Sequence, residues 1–257
     1  MSTSRWGDHI DVLLSNAPLS ALRKYRTILL VGDVKVEGEL KSALTQWVQE
    51  GGTLVANIAH VGAGDQALLG VELTGESRDG AQSRWLEDAA VYQEPKYQYA
   101  VVKLAGAEVL ADDGNGAPLI TRHRLGKGEV ILSTADHLFA ADDHHRLLRI
   151  GERLYDSVMN LHLPIEVNGP ALEYLVNRGA GRTIVTLVNS SGAEWKGSIS
   201  MGKPTSPYQT TEWLLDEDRP VQHEERDAKV SIPLSIPPYD LRIIAVESNP
   251  AWGLVAP

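Results

Sequence analysis

The chain has 257 residues, 43% of them apolar, which is enough for a packed core in one large domain or two modest ones. Its 34 acidic and 24 basic side chains give a formal charge of -10, which argues against a nucleic-acid partner. The absence of cysteine excludes disulfides and thiol nucleophiles. Without a long apolar run or a signal-peptide pattern, we expect a soluble chain with no membrane partner, cytoplasmic rather than secreted.

The first apolar run, Ile10 to Leu14, predicts a strand. A doubly wound domain usually opens with a strand and a helix before such an edge strand, yet only Trp6-Gly7 remains of that helix. The pattern predicts that the first strand and most of its crossover have been cut off. The open sheet edge would then be covered by a second copy of the chain or by an upstream segment.

The central stretch predicts a strand, a helix and a second strand. Thr27 to Val31 is a short apolar run, and the apolar residues between Glu37 and Glu50 follow a helical period. Gly51-Gly52 ends the helix, and Thr53 to Ile58 is a second apolar run. The helix is therefore predicted to connect parallel neighbours in a right-handed crossover.

The remaining N-terminal elements follow from turn residues and periodicity. In chain order we predict a helical turn at Asp65 to Leu69, a polar loop at Glu76 to Gln82, a strand at Tyr97 to Leu104, a DDGNG turn between Glu108 to Ala111 and Pro118 to Arg122, a hairpin turning at Gly126-Lys127-Gly128, and a helix with the stripe Leu147, Ile150, Leu154, Val158 and Leu161.

Beyond Pro164 the helical periodicity stops and short alternating runs predict an antiparallel sandwich. These runs are LEYLV, RTIVTLV, WKGSISM, TTEWLLD, AKVSIPL and LRIIAVE. The predicted fold class is α/β, a flavodoxin-like parallel sheet domain followed by an all-β antiparallel sandwich domain. We place the first domain at residues 1–162, the sandwich at 163–250 and a tail at 251–257.

Four polar residues follow predicted strand ends: Asp33, His60, Asp136 and His137. They are ligand-binding candidates, because ligands of open α/β sheets collect beyond the carboxyl ends of the strands. Asp33 could orient a histidine, and either histidine could act as a base. The alternative is that the carboxylates accept hydrogen bonds from nearby backbone groups and the histidines are partly exposed loop residues.

Trp85 and Tyr208 are sugar-stacking candidates, since a flat aromatic face suits the apolar face of a sugar. Trp195 and Trp213 lie within predicted strands, so at least one of them should be core. The run from Asp142 to His145 does not predict a metal site, because successive helical residues point in different directions and cannot all face one ion. Asp142 and Asp143 instead suit a helix cap. No catalytic residue, metal or cofactor is predicted.

The segments YRTILLVGDV, LTQWVQEGGTLVANIAHVGAG and GAEVLADDGNGAPLITRHRLGKGEVILST resemble the class I amidotransferase-like trimerisation domain behind the barrel of bacterial β-galactosidases and related glycoside hydrolases. The segment EYLVNRGAGRTIVTLVNSSGAEWKGSIS is similar to the small sandwich that ends many such enzymes. The resemblance implies an upstream barrel with two catalytic carboxylates, for which this chain has no room. It also leads back to amidotransferases, whose cysteine is absent here.

Three functional hypotheses remain. The leading one is a non-catalytic accessory or oligomerisation region of a carbohydrate-active enzyme, which assembles with copies of itself or with a catalytic barrel. The second is a free-standing module that binds a carbohydrate or a small metabolite. The third is a small hydrolase that uses Asp136 and His137 with a water molecule.

Overall fold

The computed structural model describes residues 11–135, 148–160, 163–179 and 181–248. Contacts divide the described residues into two compact units, one spanning Leu13–Val158 and the other including Asp11, Val12 and the residues from Met159 onward. The domain bounds 1–162 and 163–250 stay a prediction. Within the described ranges, no helix combines the length and the apolar character that a membrane crossing requires.

The first unit is built around one seven-stranded sheet. Its elements in chain order are α1 (Leu19–Leu22), β1 (Thr27–Leu29), α2 (Gly38–Gln49), β2 (Thr53–Asn57), α3 (Gln66–Leu69), β3 (Val71–Trp85), β4 (Val91–Leu104), β5 (Glu108–Asp112), β6 (Pro118–Leu125), β7 (Gly128–Ser133) and α4 (Arg149–Asn160). The strand order is β1-β2-β7-β6-β5-β3-β4. The pairs β1–β2 and β2–β7 are parallel and the other pairs are antiparallel.

The parallel part of the sheet confirms the central prediction. Strand β2 is buried at every position, as expected for a strand covered on both faces. Helix α2 turns Leu44, Trp47 and Val48 into the core and connects β1 to β2 as a crossover. The sheet is mixed, and parallel pairing is confined to the three adjacent strands β1, β2 and β7.

The hairpin between β6 and β7 packs directly against the end of α2. The backbone N–H of Lys127 donates to the carbonyl of Gln49 at 3.0 Å and so satisfies one of the free carbonyl groups at the helix terminus. Any side chain at Gly128 would overlap the carbonyl oxygens of Gly52 and Val48. The glycines of the QEGG and GKG segments therefore allow helix and hairpin backbones to touch.

Two local predictions are wrong. Asp11–Leu14 is not a strand in the described structure, and Val12 and Leu14 are exposed; Ile10 lies outside the described residues. The polar segment Glu76 to Gln82 is not a loop but the middle of β3, where Ser77 pairs with Ala100 of β4. Cross-strand hydrogen bonds there override the low strand propensity of polar residues.

The second unit is an antiparallel sandwich, as predicted. Its strands are β8 (Glu166–Asn168), β9 (Glu173–Gly179), β10 (Arg182–Asn189), β11 (Trp195–Gly202), β12 (Gln209–Trp213), β13 (Asp218–Pro220), β14 (Glu224–Arg226), β15 (Lys229–Ile236) and β16 (Asp240–Glu247). One sheet has the order β13-β12-β16-β10-β9 and the other β14-β15-β11-β8. Trp195 is a core residue whose indole N–H donates to the carbonyl of Pro170 at 2.9 Å.

The contact between hairpin and helix makes Gly128 a sensitive position. We expect Gly128→Ala to lower the free energy of unfolding by about 1–3 kcal/mol, because the methyl group must push two backbone segments apart. Gly62→Ala is the matched control, since a Cβ at Gly62 meets nothing within 4 Å and its φ is -130. Urea unfolding followed by circular dichroism measures both. Equal stability of the two variants would contradict the close approach.

Candidate functional site

Asp33 and His60 follow the carboxyl ends of β1 and β2, as predicted, but their environments differ. The Asp33 side chain is 97% exposed, and its nearest cation is Lys35 at 3.9 Å. His60 is 3% exposed. Its Nδ1 accepts from the backbone N–H of Asn57 at 3.1 Å, and its Nε2 lies 3.1 Å from the carbonyl oxygen of Gly32. A carbonyl only accepts, so His60 is the neutral tautomer with its proton on Nε2.

Asn57 is a central residue of this edge that sequence reasoning missed. Its side-chain oxygen accepts from Ala59 N–H at 2.9 Å, and its Nδ2 donates to the carbonyl of Ala135 at 2.6 Å. The same carbonyl accepts from Ser133 Oγ at 3.0 Å. Asn57 therefore ties the end of β2 to the end of β7. Its place as a polar residue near the end of the apolar run Thr53 to Ile58 was the available sequence signal.

The loops after β1 and β2 are bonded to each other. Val36 N–H donates to the carbonyl of His60 at 2.7 Å, and Lys35 Nζ donates to the carbonyl of Ala59 at 2.5 Å. One turn further, Lys41 Nζ lies 2.5 Å from the buried carboxylate of Asp65. The polar groups at the carboxyl edge thus stabilise the backbone of the two loops.

The chemistry available at this edge is limited. Ser133 and Thr134 are 1% and 0% exposed, and their hydroxyl groups donate to backbone carbonyls, so neither is placed as a nucleophile. Among the described residues no group of three or more His, Cys, Asp or Glu side chains is arranged to hold a metal ion. The described part of the edge therefore contains loop backbone held by hydrogen bonds and the buried, neutral imidazole of His60.

Asp136 and His137, the other two candidates, lie outside the described residues, as does the run from Asp142 to His145. They follow Ala135 directly, and the carbonyl of Ala135 is held by Asn57 and Ser133. The hypothesis that they bind a ligand stays a prediction.

Glu94 of β4 is a second residue without a sequence signal. It is 8% exposed, and it accepts from Ser83 Oγ at 2.8 Å and from the backbone N–H groups of Arg149 and Ile150 at 2.9 Å each. Its carboxylate caps the start of α4, where the helix dipole and free N–H groups favour a negative charge. A helix cap supplied from a strand distant in the chain cannot be inferred from local pattern.

Trp85 belongs to the core of the sheet domain. It is 5% exposed, and the guanidinium carbon of Arg153 lies 4.8 Å from its ring centroid. Arg153 is held there by Asp88 and by the hydroxyl of Tyr92. Burial and Arg153 cover much of this ring, and the role of Trp85 in sugar stacking stays a prediction.

Tyr208 is half-buried against the core of the sandwich. Its hydroxyl donates to Glu225, which also accepts from Lys203 at 2.5 Å, and the His223 ring lies 5.4 Å away between centroids. Burial and the hydrogen bond to Glu225 raise the pKa of Tyr208 to about 12. Tyr208 therefore remains a neutral donor at any ordinary pH, and its role in sugar stacking stays a prediction.

Comparison with known proteins identifies the fold. No family model and no curated protein matches the chain. Among solved structures, the β-galactosidase from Bacillus circulans sp. alkalophilus matches with a TM-score of 0.60 and 15% identity over 90% of this chain and 34% of its own. The β-galactosidase from Rahnella sp. R3 matches with 0.59 and 16% identity, over 94% of this chain and 35% of its own.

A third similar structure is the alpha-L-fucosidase isoenzyme 2 from Paenibacillus thiaminolyticus, with a TM-score of 0.66 and 13% identity over 93% of this chain and 43% of its own. The chain thus spans well under half the length of the enzymes it resembles. At these identities the similarity shows a shared fold: a sheet domain followed by a β-sandwich.

The geometry of His60 predicts a structural role. We expect His60→Ala to lower the free energy of unfolding by about 1–3 kcal/mol, because the buried Asn57 N–H and Gly32 carbonyl lose their partner. Asp33→Ala, at a side chain that is 97% exposed, should change it by less than about 0.5 kcal/mol. Chemical denaturation measures both. An unchanged midpoint in His60→Ala would contradict the structural role and leave His60 as a candidate for ligand binding or catalysis.

Proposed function

We propose that the chain is a non-catalytic accessory and assembly region of a carbohydrate-active enzyme of the glycoside hydrolase type. The observation that carries the proposal is the match of both units, in order, to about a third of longer glycoside hydrolase chains, 34% and 35% for the two β-galactosidases. Such a region serves a catalytic barrel elsewhere, on the same polypeptide or on a partner.

The chemistry at the carboxyl edge supports this proposal. Glycoside hydrolysis ordinarily needs two carboxyl groups on either side of one sugar bond. Here Asp33 is exposed with Lys35 3.9 Å away, and Asp65 is bound to Lys41 and to the backbone N–H of Gly62. A carboxylate bound as Asp65 is holds a loop in place, which favours a supporting domain over an active site.

The open edge of the sheet supports an assembly role. Within the described residues, no strand pairs with β1 on the side away from β2. The first unit also exposes the apolar side chains of Leu14 and Val31, at 73% and 65%. An unpaired strand with apolar neighbours is a template for another chain, and we assign it to a second copy.

The catalytic part of the proposal is tested by turnover. The purified chain should show no activity above the blank on aryl β-galactosides or other aryl glycosides. An antibody against the chain, used on extracts of the native host, should recover a glycoside hydrolase barrel on the same polypeptide or in complex with it. Turnover that survives purification and disappears in Asp33→Asn would overturn the proposal.

The assembly part is tested by mass. The wild-type chain should be an oligomer at micromolar concentration, with an interface that buries more than about 1,000 Å². Val31→Asp should lower the mass, because it places a charge beside the open edge without disturbing the core. Leu215→Asp, at a fully exposed residue of the second unit, is the control and should leave the mass unchanged. Light scattering that gives a wild-type monomer contradicts the assignment.

A further inference from the structure

One corner of the sandwich is made by two connections that pass from one sheet to the other. The first joins β10 to β11 and the second joins β15 to β16. Asn189 binds them together, because its Nδ2 donates to the carbonyls of Ile236 and Pro237 at 3.0 and 2.9 Å. Tyr239 N–H donates to the carbonyl of Ser191 at 3.3 Å. The two connections form one fixed surface.

Tyr239 occupies this surface in a backbone conformation that its side chain disfavours. Its φ is 57, and the other described non-glycine residues with positive φ are Ala89, Asp227 and Ala228. A bulky residue in the left-handed region costs folding free energy, and such strain concentrates at binding sites. Packing does not offset the cost, since Tyr239 is 78% exposed. Glycine or asparagine would suit the turn better.

The ring of Tyr239 nevertheless has a defined seat. A Cβ at Gly192 would lie 3.1 Å from the Tyr239 hydroxyl oxygen and 3.7 Å from the ring carbon that bears it. The phenol end therefore lies close to Gly192, while most of the residue is exposed. An exposed aromatic ring beside a residue without a side chain leaves room for a flat ligand.

Hydrogen-bonding side chains lie on residues next to this backbone contact, on the first connection and at the start of β16. Ser190 Oγ donates to Glu173 at 2.9 Å, and Asp240, the next residue after Tyr239, accepts from Arg242 Nη1 at 2.9 Å. The hydrogen bond from the backbone N–H of Leu241 is the main cause that holds the pKa of Asp240 below its usual range; desolvation opposes it, and the Arg242 guanidinium lowers the pKa further. A carboxylate, a guanidinium and a hydroxyl group on residues next to Tyr239 or to its backbone partner Ser191 suit a ligand that is apolar on one face and rich in hydroxyl groups at its edge.

We propose that Tyr239 is the stacking platform of a carbohydrate-binding site at this corner, with Asp240, Arg242 and Ser190 as partners for the sugar hydroxyl groups. The ligand class is a pyranose ring, free or within a glycan. The choice of a sugar over other flat hydroxylated ligands rests on the proposed function. The observation that Tyr239 is exposed and strained is independent of that function.

The test is saturation-transfer NMR of the full chain with methyl β-D-galactopyranoside, methyl β-D-glucopyranoside and methyl β-D-mannopyranoside. At least one sugar should receive saturation, and Tyr239→Phe should retain it because the ring remains. Tyr239→Gly should weaken binding by about tenfold or more, because the stacking surface is gone. The same variant should unfold no more easily than the wild type, because glycine relieves the backbone strain. Leu215→Gly, at a fully exposed residue of the same unit, is the matched control and should leave binding unchanged.

Four results would overturn the site, and the first three concern binding and stability. They are no transfer from the wild type to any of the three sugars, equal transfer in Tyr239→Gly, and a large loss of stability in Tyr239→Gly, which would make the tyrosine a packing residue. A lower oligomer mass in Tyr239→Gly without any sugar signal would assign the ring to a chain contact and also overturn it. None of these results bears on turnover of aryl glycosides, so the test of the proposed function is independent of the test of this site.

Discussion

The first unit depends on one close approach of backbone to backbone, where Gly128 meets Gly52 and the carbonyl of Val48. Strand β7 lies between β2 and β6 in the sheet, so this contact joins the parallel half to the antiparallel half. The hairpin also supplies the N–H of Lys127 to the end of α2. Since nothing larger than hydrogen fits between the segments, the register of β7 beside β2 follows from glycine placement rather than from side-chain packing.

That register decides what the carboxyl edge can do. It brings the end of β7 to Asn57, whose side chain bonds the carbonyl of Ala135, while His60 bonds the end of β1. Buried polar groups must be paired, and here the partners are backbone groups of the neighbouring loops. An edge that would hold a ligand in an open α/β sheet is, over its described part, a network that fixes the loops.

The sequence predicts the helices and strands that have a local side-chain pattern. It does not predict an element or a role that depends on a partner distant in the chain. The stripe of α2, the buried run of β2 and the alternating strands of the sandwich follow from side-chain periodicity, which burial on one or both faces imposes. The middle of β3 has no such pattern, because pairing with β4 forms it. The position of His60 at a strand end was predictable, but its role was not, since its partners are backbone atoms that only the folded chain brings near.

The tyrosines differ in whether folding explains their presence. Tyr97 and Tyr99 are 2% and 3% exposed, and their hydroxyl groups donate to the Gln82 carbonyl and to Asp113. Burial is the main cause that raises the pKa of both. Their apolar surface stabilises the core and their polar ends are paired, so folding alone explains them. Tyr239 is exposed and strained at the backbone, and folding alone would favour a glycine in its place. Over its described part, the carboxyl edge of the sheet is occupied by the loops of the chain itself, so we expect ligand recognition at this corner of the sandwich instead.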